Sequence, residues 1–131
     1  MVGDPTQSAE RTFELELPSR PGSVSDARHA VGEFIGRLGM PDADIRLAVS
    51  ETVGNAVTHA FRGREPGIVR ITCSVYERAL LVTVADDGTG MRPNLDSPGL
   101  GLGIPLITKL ATDVRFDSSE RGTTVSMSFA R

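Results

Sequence analysis

Ser50-Glu51-Thr52-Val53-Gly54-Asn55-Ala56-Val57-Thr58-His59-Ala60-Phe61 is the stretch whose reading decides the fold. Together with the residues before it, it places Ile45, Ala48, Val49, Thr52, Val53, Ala56, Val57 and Ala60 at three- and four-residue spacing. That spacing predicts an amphipathic helix, opened by Pro41 and Asp42. Glu51 and Asn55 are four apart and stack on one face. At about 100° per residue, that face lies roughly opposite the Val49, Val53 and Ala56 stripe. His59, four further on, drifts toward the stripe edge. A core-facing helix usually turns a mixture of Lys and Glu to solvent. This one offers Glu, Asn, Thr58 and His, with no Lys. The face reads either as solvated, with an incidental amide, or as a Mg²⁺-nucleotide face. In the second reading Asn55 gives a neutral oxygen to a cation that accepts few protein ligands. Glu51 could then take a proton from an attacking nucleophile.

Outward from this helix, periodicity assigns the rest. Phe13, Leu15 and Leu17 alternate with Glu14 and Glu16 as a half-buried strand, broken by Pro18 to Gly22. Ser23 opens a first helix, with Asp26 at capping-box spacing and Gly39 as its stop. Its apolar positions are Val24, Ala27, Val31, Phe34, Ile35 and Leu38. After a turn at Arg62 to Gly67, Val69, Ile71, Cys73 and Val75 alternate with polar residues as a strand, and Leu80 to Ala85 forms another. Ile104 to Ala111 fits a short helix with Pro105 in its first turn. Val114 and Phe116, then Val125, Met127 and Phe129, are two closing strands around a turn at Gly122. Hairpin-paired strands with helices on one face make an α+β, two-layer sandwich with a mostly antiparallel sheet.

Two glycine clusters interrupt this pattern. Asp86-Asp87-Gly88-Thr89-Gly90 follows directly on a strand. Gly88 and Gly90 allow a flat ligand to come close, and Asp86 can accept the exocyclic amine hydrogen of adenine, although Asp-Gly is also a common turn signal. Gly99-Leu100-Gly101-Leu102-Gly103 leads into a helix, whose N-terminal amides can hold an anion. It has no strand just before it and no Gly-Lys-Ser/Thr, so neither a Rossmann nor a P-loop reading survives. Gly122-Thr123-Thr124 is a weaker signal, in which a threonine hydroxyl could bridge Asp86 and the adenine ring.

The order Glu51-x-x-x-Asn55, Asp86-x-Gly88-x-Gly90, Gly99-x-Gly101-x-Gly103, Gly122-Thr123 resembles the four motif boxes of the GHKL (Bergerat-fold) ATPases. The likeness runs from about Phe13 to Phe129. Within the class, the segments SETVGNAVTHAF and DDGTGM are most similar to the bacterial anti-sigma-factor serine/threonine kinases. The resemblance implies ATP and Mg²⁺ as cofactors, with Glu51 as general base and Asn55 holding the metal. His59, Gly88, Gly90 and Gly99 join the nucleotide site, Asp86 reads adenine with Thr123 in support, and Gly101 and Gly103 face the phosphates. It further implies a homodimer that binds a sigma factor through Arg28, read as solvent-facing on the first helix, and that phosphorylates a serine on a STAS-fold antagonist. The chain departs from the family between Gly90 and Gly99. Arg92 is the one cation there, and no basic residue directly precedes Gly99, so nucleotide binding has more residues behind it than phosphoryl transfer.

Composition narrows the alternatives. The 131 residues suit one domain, expected at 11–131 behind a loose terminus at 1–10. The net charge is -3, with both signs scattered and no basic stripe, which argues against direct nucleic-acid binding. There is no Trp and a single Tyr, hence no platform for stacking bases. Apolar runs are too short for a membrane span and Met1 to Glu10 is unlike a signal peptide, so a cytoplasmic protein is expected. Cys73, the one cysteine, reads as a small buried hydrophobe. Three functions compete: a serine kinase that also sequesters a sigma factor, a nucleotide-dependent binding module without turnover, and a detached sensor-kinase catalytic domain. The third lacks a dimerisation helix pair bearing a phosphoacceptor histidine; His29, a possible rival on the first helix, has no acidic neighbour and no second long hairpin helix.

Overall fold

A computed structural model describes residues 8–60, 67–87, 100–119 and 121–131. Strand β1 (Arg11–Pro18) leads into helices α1 (Gly22–Arg37) and α2 (Ala43–Asn55), the latter running on into a π-helical turn, Ala56–Ala60. Then come β2 (Ile68–Val75), β3 (Ala79–Asp86), α3 (Leu100–Leu110), β4 (Asp113–Ser119) and β5 (Gly122–Ala130). The five strands form one sheet in the order β1-β2-β3-β5-β4, every neighbouring pair antiparallel.

Strand alternation sends every second residue to the helices, and the registers align these residues in rows across the sheet. Phe13, Cys73, Val82, Met127 and Val114 form one row, and Leu15, Ile71, Val84, Val125 and Phe116 the next. Both are apolar, and they pack with Val31, Ile35, Val49 and Val53 of the helices into one core. Phe13 stacks on Phe34 of α1, with ring centroids 5.2 Å apart. The third row is Leu17, Val69, Asp86, Thr123 and Ser118. It turns polar at β3, and this is what locates the site. Thr52 is buried within the apolar stripe of α2 because its hydroxyl donates to the Ala48 carbonyl at 2.6 Å.

Three local expectations are corrected. Helix α1 begins before Ser23, with Pro21 at the cap and no side-chain capping bond. The Ser23 hydroxyl instead donates to the Pro18 carbonyl at 2.6 Å, tying the helix to the end of β1, and Asp26 is exposed. Helix α3 begins at Leu100 rather than Ile104, so Pro105 lies inside it. Packing of the buried Ile107 outweighs the weak helix preference of the glycines. Arg28 is half-buried rather than solvent-facing, its Nη2 3.5 Å from the Ser25 hydroxyl. It lies one turn before Gly32, which packs against the Arg46 guanidinium of α2, so it sits on the flank of α1 that faces α2.

Candidate functional site

The polar end of the third row is built by strand order. Because β5 lies next to β3, Thr123 stands directly opposite Asp86, on the same face of the sheet. Side chains so placed have Cβ atoms about 4.5–5.5 Å apart. Thr123 is 2% exposed and Asp86 half-buried. On the far side of Thr123, Ser118 of β4 brings its Oγ to 3.0 Å from the Thr123 Oγ1. Gly122, with φ of 139°, makes the approach possible: a Cβ there would fall against the Asp86 carbonyl oxygen. Asp87 turns the other way, its exposed carboxylate accepting the Ile68 N–H at 3.2 Å.

Further in, α2, α3 and the β4–β5 edge border a partly open cavity of about 300 Å³ that extends past Val114 to Thr112 and Asp113. Val125 and Phe116 line its sheet side, Thr52 and Asn55 its α2 side, and Ile107 and Thr108 its α3 side. Asn55, half-buried, lines this partly open cavity. Its flank of α2 borders α3, which revises the expected position opposite the core. Glu51, one turn earlier, is half-buried. The apolar sheet wall suits a flat ring.

The structure pairs Asp86 with Thr123 at one end of the sheet, while Asn55 lines the cavity between α2, α3 and the β4–β5 edge, with Glu51 on the same helix. Gly101 and Gly103 lie in the first turn of α3, whose leading N–H groups have no intrahelical acceptor. Arg28 lies elsewhere, on α1. The side chain of His59 and residues Gly88, Gly90 and Gly99, with the segment containing Arg92, lie outside the described residues. Sequence reasoning missed Ser118. Its signal was parity: Val114, Phe116 and Ser118 are alternate residues of one strand and share a face.

Asn55 is the residue that would hold a Mg²⁺ ion. Among the described residues no three His, Cys, Asp or Glu side chains gather as a metal site. Asn55 would offer one amide oxygen to a cation bound chiefly by phosphates and water. Also among the described residues, no helix is long and apolar enough to cross a membrane.

Comparison with known proteins bears on family and fold. A family model described as "Histidine kinase-like ATPase domain" matches residues 17–129. An anti-sigma F factor of Clostridium novyi is 33% identical over 132 residues, covering 88% of this chain and 91% of that protein. The serine-protein kinase RsbW of Listeria innocua is 38% identical over 78 residues, covering 57% of this chain and 50% of the kinase, so the match spans half the length of that relative. Among solved structures, the RsbU and RsbW domains of a Mycobacterium tuberculosis protein superpose with a TM-score of 0.75 over 92% of this chain and 33% of theirs. Sequence identity there is 20%, a likeness of fold.

Proposed function

The chain belongs to the histidine kinase-like ATPase domain family, and from that premise we propose that it is an ATP-dependent serine/threonine kinase that also sequesters a sigma factor. The observation that carries this reading is the pairing of Asp86 with Thr123 at the sheet end. In the proposed site Asp86 accepts the amine hydrogen of adenine and Thr123 supports it. Gly88, Gly90 and Gly99 shape the loops around the nucleotide, His59 borders it, and Gly101 and Gly103 offer backbone amides to phosphate. Asn55 would hold Mg²⁺, which neutralises phosphate charge when bound.

Glu51 takes the proton of the acceptor serine. The serine oxygen bonds to the γ-phosphorus as the bond to the β-phosphate oxygen breaks, and ADP leaves. The acceptor is a serine on a STAS-fold antagonist of the anti-sigma factor. The sigma factor meets the α1 surface around Arg28. The same reading takes residues 11–131 as the domain, a homodimer as the assembly and the cytoplasm as the location.

The test is incubation with labelled ATP, Mg²⁺ and the antagonist, followed by analysis for phosphoserine. Glu51→Gln should keep nucleotide binding and lose transfer by about 10²–10⁴-fold. Asn55→Ala should weaken Mg·ATP far more than metal-free nucleotide. Full activity in E51Q would put the base elsewhere. A second reading, a nucleotide-dependent binding module, is favoured by Arg92 being the one cation between Gly90 and Gly99. Sigma-factor retention without any phosphoserine would establish it.

A further inference from the structure

The line of α2 farthest from the core carries Ala43, Leu47, Ser50 and Gly54, three and four residues apart. Ala43 and Leu47 are exposed, Leu47 by 42%. The Ser50 hydroxyl donates to the Arg46 carbonyl at 2.9 Å, so it is spent on the helix's own backbone. This crest carries no charge, where the outer face of a surface helix ordinarily does. Glu51 stands beside it. At about 100° per residue, Glu51 is turned about 40° from Leu47, and Asn55 about 40° further, toward the cavity. We propose that the crest is the docking surface for the protein that carries the acceptor serine, with Leu47 and Gly54 as its contacts on either side of Glu51. This rests on reading Glu51 as the general base.

Gly54 is the residue the domain itself does not explain. Glycine inside a helix costs stability relative to alanine. The helical path runs on past Gly54 to Ala60, so Gly54 is no stop signal, and its φ is not positive. Among the described residues nothing lies within 4 Å of the place its Cβ would take. At Gly32, by contrast, the Arg46 guanidinium fills that place. The bare backbone at Gly54 lets a second surface come close. A lone exposed leucine is ordinary on a protein surface. Leu47, however, shares its line with Gly54 and stands one turn before Glu51, about 6 Å along the axis. The occupant follows from Glu51. A base must lie within hydrogen-bond reach of the hydroxyl it serves. The core side of α2 is filled by the buried Val49 and Val53, α1 packs on one flank and α3 on the other. A hydroxyl borne on a protein therefore arrives over the crest, and its carrier covers the turns on either side. That carrier places an apolar side chain about 6 Å from its serine, against Leu47, and a closely packed backbone or small residue over Gly54. Water attacking the same phosphate needs neither contact, so the crest favours transfer to protein over hydrolysis.

The experiment is steady-state phosphorylation of the purified STAS-fold antagonist by wild type, Leu47→Asp, Leu47→Met, Gly54→Ala and Glu51→Gln, with ATP calorimetry and thermal melts alongside. L47D should raise KM for the antagonist about tenfold, the scale of an interface anchor, with kcat and ATP affinity held. L47M should stay within about twofold of wild type, as a volume-conserving exchange does. G54A should melt higher than wild type, because alanine is the better helix former, and still raise KM for the antagonist severalfold. Unchanged KM in both L47D and G54A would overturn the proposal, while loss of transfer in E51Q leaves Glu51 as the base. A lower melting temperature in G54A would show that the glycine serves the domain's own packing, and would overturn it too. So would weaker sigma-factor retention in L47D with KM for the antagonist unchanged, which gives the crest to the other partner. Full transfer by E51Q, or no phosphoserine from wild type, would remove the premise and the proposal with it.

Discussion

Replacing Gly122 by alanine tests the geometry of the site floor with one methyl group. Gly122 adopts φ of 139°, a region that residues with a Cβ rarely enter. The added Cβ would fall against the Asp86 carbonyl oxygen, with the Asp86 carbonyl carbon at 3.0 Å and the Asp87 Cα at 3.2 Å. All three atoms are backbone, so no side chain can swing aside to make room. Backbone strain of this kind costs about 1–3 kcal/mol, and overpacking costs a similar amount. Gly122→Ala should therefore destabilise the domain by about 2–6 kcal/mol, a large part of the 5–15 kcal/mol that holds a domain of this size together. Urea denaturation gives the answer directly: the midpoint should fall with the slope unchanged. Because relief of the clash moves the Asp86 backbone, nucleotide affinity should fall as well, when measured below the unfolding transition. A midpoint shift equivalent to less than about 0.5 kcal/mol would refute the argument, since that is the range of an indifferent surface change.

Asp86→Asn should lower ATP affinity by about 1.5–3 kcal/mol, the value of a hydrogen bond to a charged group. Asp87→Asn keeps an acceptor for the Ile68 N–H and should bind ATP nearly as wild type does; calorimetry showing D86N equal to wild type would refute the assignment. Two α1 glycines should differ on replacement by alanine. Gly36 has open space around its Cα, and Gly36→Ala should stabilise the helix by about 0.5–1 kcal/mol. At Gly32 the new methyl would displace the Arg46 guanidinium from its 2.7 Å pair with Asp42, so Gly32→Ala should gain less in the same denaturation assay. Burial pushes the Cys73 thiol from its ordinary 9.0 up to about 12. The unfolded chain then gives up this proton at lower pH than the folded one. This contribution to stability is complete below about pH 9 and is lost as pH rises toward about 12. Cys73→Ala, although less stable overall, should lack that component of the alkaline fall in melting temperature.

Strands and helices were readable wherever burial imposes a period. Phe13, Leu15 and Leu17 alternate because only one face of β1 meets the helices, and the α2 stripe repeats because only one face of that helix meets the sheet. Thr52 fits the stripe despite its hydroxyl, since the hydroxyl is spent on the helix's own backbone. The misread ends have local causes. Ser23 has the composition of a cap, yet the turn at Pro21 had already begun the helix. Glycines and Pro105 look like punctuation, yet α3 runs through them. The candidate site was legible as a set of residue types and not as a geometry. That Asp86 faces Thr123 depends on β5 rather than β4 lying beside β3, and a non-consecutive strand neighbour leaves no local trace. Ser118 went unnoticed because a lone serine after two apolar alternations looks like a strand end. Arg28 was given to solvent because its spacing from the α1 stripe does not reveal that a second helix lies along that flank.

The strand order also has a kinetic side. The α1–α2 pair and the β2–β3 and β4–β5 hairpins join segments close in sequence, and such contacts close quickly. The β1–β2 and β3–β5 ladders join segments far apart, with Arg11 paired to Val75 and Asp86 to Thr123. They pay the loop-closure entropy of the long stretches between them. The floor of the proposed nucleotide site is thus one of the two slow closures, and it does not exist until the β4–β5 hairpin has docked on β3. A ligand that needs this floor binds the finished domain and has no purchase on its precursors. Its stabilisation should appear as slower unfolding, with the folding rate left almost unchanged.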